Sequence, residues 1–145
     1  MNNEKSVNIL NKLLKGQYMG IHAYENFIKN LEKSSSLLPH FIKIQSDLKH
    51  HAELLSARIK ELQGVPETSE GIIGKAELFI GQIFDPSHGE QDILKHAIKG
   101  QNIYGIRMTE ELVDDKLDQK SLNLVHEIVE KQREHVDYLK SKLHS

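Results

Sequence analysis

The sequence predicts an all-α fold, a four-helix bundle with a long crossover between helices two and three that carries a short helix. Three observations predict it. Apolar residues recur at helical spacing over four long stretches. Between the second and third of these, turn-forming residues cluster at Pro66, Gly71, Gly74, Gly81 and Pro86. Finally, Gly16-Gln17 and Gly100-Gln101 are 84 residues apart, as are His51 and His135. One separation shared by both pairs is what two stacked helix hairpins would produce.

The first helix is expected at about 5–33, where Leu10, Leu14, Ile21, Tyr24, Ile28 and Leu31 form one stripe that includes Gln17. Ser34–Ser36 interrupts the pattern. A second helix at about 37–63 resumes it through Phe41, Ile44, Leu48, Leu55 and Ile59, until Gly64 and Pro66 stop it. The crossover follows, with a short helix expected at about 70–84. Its apolar piece, Ala76 to Phe84, is expected to lie across a bundle groove or a partner subunit. A third helix is expected at about 91–116 and a fourth at about 121–143, with Asp118, Gln119 and Ser121 supplying turn and capping chemistry between them.

Composition narrows the function classes. A chain of 145 residues supports one domain over 1–145. Apolar residues make up 38%, aromatics 6%, and tryptophan is absent, so the core is expected to consist mainly of Leu, Ile and Val. A net charge of -2 gives no concentrated basic field, and nucleic acid is not an expected partner. The absence of cysteine excludes disulfides, thiolate zinc sites and iron–sulfur clusters. No apolar run approaches the roughly 20 residues needed to cross a bilayer, and the N-terminus lacks a leader's apolar stretch. The expected location is cytoplasmic, without membrane attachment.

Five polar residues fall on inward-facing positions: Gln17, Gln101, Gln132, His51 and His135. Gln132 and His135 are three apart and share a helix face; the matching pair on the second helix is Leu48 and His51. Two readings stay open. Amides and imidazoles in a core must find hydrogen-bond partners or water, so the five can form a satisfied layer that fixes helix register. Alternatively, the two imidazoles can hold a metal ion, with the glutamines on the ion or its waters and Tyr24 or Tyr18 supplying an oxygen. A two-iron centre in such a bundle needs four carboxylates and two histidines, because iron prefers charged oxygen ligands. No acid occupies the layer. Glu25, Asp47, Glu53, Glu110, Glu134 and Asp137 are expected to be solvated or interhelical acids, with Asp47 and Glu134 off the Leu48 and His135 face.

The segments LNKLLKGQYMGIHAY, HAELLSARIKELQGVP and EKQREHVDYLKSKL resemble the first, second and fourth helices of the bacterioferritins, members of the ferritin superfamily. The resemblance implies a ferritin-like bundle and iron as the metal. It also places the family's ligands: a first-helix glutamate at Gln17, a Glu-x-x-His pair at Leu48 and His51, a bridging glutamate at Gln101, and a second Glu-x-x-His pair at Gln132 and His135. Both histidines are kept and all four acids are replaced. The family's haem-ligating methionine falls at Lys49, so haem is not expected. The family's fifth short helix finds no counterpart before Ser145, and a closed cage is not expected.

The expected function is that of a ferritin-like protein with a degenerate di-iron site that retains weak metal binding through His51, His135, Gln17, Gln101 and Gln132. The first alternative is a structural or regulatory interaction protein without metal; the second is an iron-binding protein or ferroxidase of the bacterioferritin type. The substitutions argue against ferroxidase chemistry. The apolar crossover needs something to cover it, which predicts a homo-oligomer, at least a dimer.

Overall fold

A computed structural model of the chain describes residues 3–69, 89–113 and 117–143. Helix α1 (Asn3–Asn30) buries Ile9, Leu10, Leu13, Leu14, Gln17, Ile21, Tyr24 and Phe27 along one stripe. Glu4 in its first turn and Lys29 in its last complement the helix dipole. It ends three residues before the expected Lys33. The Asn30 amide Nδ2 donates to the Asn26 carbonyl at 2.9 Å, and the turn that follows is held by Ser35 Oγ accepting from the Leu37 amide at 3.1 Å.

Helix α2 (Leu38–Glu61) starts with Pro39 in its first turn, where no intrahelical donor is required. Its end differs from the sequence expectation. Gln63, not Gly64, takes the left-handed conformation, at φ 67°. The Gln63 amide donates to Lys60 O and the Gly64 amide to Ile59 O, both at 2.9 Å, which is a Schellman cap. Gly64 is required for space: a Cβ there would lie 2.6 Å from Val7 Cγ1.

The short helix expected at about 70–84 lies outside the described residues. The third helix begins where expected but is not uniform. It runs as α3 (Glu90–Gly100), a π-helical segment (Gln101–Arg107) and α4 (Met108–Leu112); residues 114–116 of the expected span lie outside the described residues. Thr109 Oγ1 donates to the Gly105 carbonyl at 2.7 Å, occupying an acceptor that the widened turn presents.

Helix α5 (Gln119–Ser141) starts two residues before the expected Ser121. Asp118 caps it by accepting from the Ser121 amide at 3.1 Å. The same carboxylate takes a 2.7 Å hydrogen bond from Arg58 Nη2, while Arg58 Nε donates to Ser121 Oγ at 2.9 Å. Burial opposes ionisation of Asp118, but the hydrogen bonds from Ser121 and Arg58 outweigh it and hold the carboxyl at about 2. One guanidinium thus pins the start of α5 to the end of α2.

The helices close a ring. α1 packs along α2, α2 on α5, α5 on α3 and the π-helical segment, and these two on α1. This is the expected all-α four-helix bundle, and the described residues contain no strand. Leu10, Leu14, Phe41, Ile44, Leu55, Ile59, Ile93, Leu94 and Leu139 are almost fully inaccessible at its centre. The predicted aliphatic core is therefore present, joined by one aromatic cluster in which Tyr24 and Phe27 pack edge to face at 5.4 Å. No helix among the described residues is long and apolar enough to cross a membrane.

Candidate functional site

All five polar residues read from the sequence are buried: Gln17, His51, Gln101, Gln132 and His135 are between 1% and 7% exposed. Leu48, at the position where two-fold repetition expects a polar group, is buried as well. The layer divides into an amide half and an imidazole half.

In the amide half, Gln17 from α1, Gln101 from the π-helical segment and Gln132 from α5 line one cavity of about 60 Å³ together with Tyr24 and Leu48. The Tyr24 hydroxyl donates to Gln101 Oε1 at 2.7 Å. Burial raises the pKa of that phenol far above its ordinary value, so it stays protonated and acts as a donor. Gln132 lies directly on the backbone of Gly105: a Cβ at position 105 would overlap Gln132 Oε1 and sit 3.1 Å from its Cδ. Gly20 leaves similar room, since a Cβ there would meet Leu48 Cδ1 at 3.2 Å. Four amide atoms in this half have no protein partner: Gln17 Oε1, Gln101 Nε2, and both Gln132 Oε1 and Nε2.

In the imidazole half, His135 Nε2 is 2.7 Å from Asp47 Oδ2. This corrects the expectation that Asp47 lies off the His135 face: it is an interhelical acid joining α2 to α5. His40, which sequence reading did not select, stacks on Tyr138 with ring centroids 3.6 Å apart and meets His135 edge to face at 5.4 Å. Burial lowers His135, and the hydrogen bond and charge of Asp47 recover only part of the shift. The imidazole is therefore neutral near pH 7, and its Nε2–H donates to the carboxylate. Burial opposes ionisation of Asp47, but the hydrogen bond from His135 and the charge of Lys43 hold the carboxyl below its usual range. Burial also pushes His51 down to about 4 despite the nearby Asp47 charge, and it lowers His40.

The other candidate acids stay outside. Glu25, Glu53 and Asp137 are exposed. Glu110 pairs with Arg133 at 2.8 Å, and Glu134 with Lys131 at 3.2 Å, on the surface. Among the described residues, no three His, Asp or Glu side chains are grouped so that they could hold a metal ion. The donors at the layer do not fit a carboxylate-bridged iron pair. Three neutral amides and a leucine stand where anionic oxygens are needed, and the phenol is committed as a donor.

Asp47, His40 and Gly105 are the residues that sequence reading missed. Asp47 and His40 sit on the flank of α2, and their partners on α5 lie about 90 positions away in the chain, beyond the reach of local periodicity. Gly105 had one available signal: it lies four residues after Gln101, on the same helical side.

A family model described as a domain of unknown function, DUF2383, matches residues 5–115, and the chain belongs to that family. No curated protein and no solved structure matches the chain.

Proposed function

We propose that this member of the DUF2383 family is a structural or regulatory interaction protein that works without a metal, its bundle serving as a rigid scaffold. By position, the buried layer corresponds to a di-iron centre whose acids have been replaced by neutral groups. One observation carries this reading: the polar side chains bond to one another between helices instead of forming an anionic cage. Tyr24 to Gln101 ties α1 to the π-helical segment, and His135 to Asp47 ties α5 to α2. Such bonds fix the helix register, and a buried polar group left without its partner is penalised strongly.

The scaffold reading includes self-association to at least a dimer, motivated by the apolar stretch Ala76 to Phe84. The test is thermal unfolding of the purified chain with and without EDTA, together with ferrous oxidation in air and sedimentation. The expected result is a melting temperature indifferent to chelator, oxidation at the rate of buffer, and a defined oligomer. A fall of many degrees on adding EDTA would show that a bound ion supports the native state, and the proposal would be lost.

A further inference from the structure

We infer that the cavity among α1, α2, the π-helical segment and α5 is a binding site for a small neutral carboxamide or urea-type molecule. This goes beyond the scaffold reading and does not depend on it.

Size comes first. The cavity of about 60 Å³ holds roughly four to six water-sized groups at about 10–15 Å³ each. That is the size of acetamide or urea. The room exists because the lining has glycines at Gly16, Gly20 and Gly105.

Hydrogen bonding sets the chemistry. Gln17 Oε1 and Gln132 Oε1 are unpaired acceptors, and Gln101 Nε2 and Gln132 Nε2 are unpaired donors. All three residues are more than nine-tenths buried and line this space. A primary amide presents the complementary set, a carbonyl acceptor beside an NH₂ donor. Unmet buried groups of this kind make a site selective, because a molecule without the matching groups leaves them unpaired.

Charge excludes ions. The lining contains no Asp, Glu, Lys or Arg. Its ionisable groups are Tyr24, held protonated and committed to Gln101, and His96, whose Nδ1 lies 2.8 Å from the Asp92 carbonyl. Ala23, Phe27, Leu48 and Ala97 supply apolar wall, which favours a methyl group at one end of the ligand. The π-helical segment adds an independent pointer. It contributes both Gln101 and Gly105 to the lining, and such widened turns are retained mostly at functional sites.

The experiment is a nuclear magnetic resonance titration of the full chain with acetamide, urea and acetate, at a pH where imidazoles are neutral. It follows the side-chain NH₂ signals of Gln17, Gln101 and Gln132. Acetamide should give saturable shifts of these signals, urea weaker ones, and its charged isostere acetate should bind less tightly by about tenfold or more. Gln17→Leu and Gln132→Leu should each weaken acetamide by about tenfold or more. Non-saturating shifts of equal size for acetamide and acetate would overturn the assignment, as would unchanged affinity in both variants. Where a variant fails to fold, the acetamide-to-acetate comparison on the unaltered chain decides.

Discussion

His135 and Asp47 are 88 residues apart in the chain, yet the imidazole Nε2 and the carboxylate meet at 2.7 Å in a nearly dry position. The contact makes α2 and α5 sense each other through one proton donor and one charged acceptor. Replacing Asp47 by Ala leaves a buried N–H without a partner and should cost about 1–3 kcal/mol. Asp47→Asn retains an acceptor oxygen and should recover part of the loss. Urea denaturation of both variants checks this, with the slope expected to stay constant while the midpoint moves.

The Tyr24 hydroxyl is the donor that Gln101 Oε1 relies on. Tyr24→Phe keeps the ring that packs against Phe27 and Phe41 but removes that donor. A loss of about 1–3 kcal/mol is expected, and the double variant Tyr24→Phe/Gln101→Leu should lose less than the two single changes added together. Chemical denaturation of all four proteins in the cycle measures the coupling.

Gly105 carries the side chain of Gln132 on its backbone. Gly105→Ala should force that amide to move and destabilise the bundle by about 1–3 kcal/mol, despite alanine's better helix propensity. Shortening the obstacle with Gln132→Ala should restore part of the stability to the Gly105→Ala chain. Failure of the second change to help would show that the strain lies elsewhere.

The arrangement was only half legible in the chain. Gln17, Gln101, Gln132, His51 and His135 were visible because each sits on a repeating apolar stripe, where a polar residue is conspicuous. The four helices followed from the same periodicity. Asp47 and His40 were not visible: a residue at the edge of a stripe can face solvent or a neighbouring helix, and the choice depends on how α2 and α5 are rotated against each other. The π-helical segment was hidden for a related reason. QNIYGIR has no proline or other local signal to break an α-helix, so the widening depends on how Gln132 meets Gly105.

Acid should unfold the protein earlier than its net charge alone implies. His51 titrates at about 4 in the folded chain against 6.5 when unfolded. As pH falls through 6.5 the unfolded chain takes up the proton first, so stability is lost progressively between pH 6.5 and about 4. The lowered values of His135 and His40 act in the same direction. His51→Leu removes one of these protons and should flatten the acid limb. Urea midpoints at about pH 7 and about pH 5 compare the two slopes.

The π-helical segment also governs what lies downstream of it. Each α-helical residue turns the chain by roughly 100°, and a widened turn absorbs residues that a regular helix would have spent on rotation. Deleting a single residue within Gln101–Arg107 would let α3 and α4 zip into one uninterrupted rod. It would also swing Thr109, Val113 and everything attached beyond them onto a different side. The third arm of the bundle therefore tolerates substitutions better than changes in length, and over those seven positions residue count matters as much as residue identity.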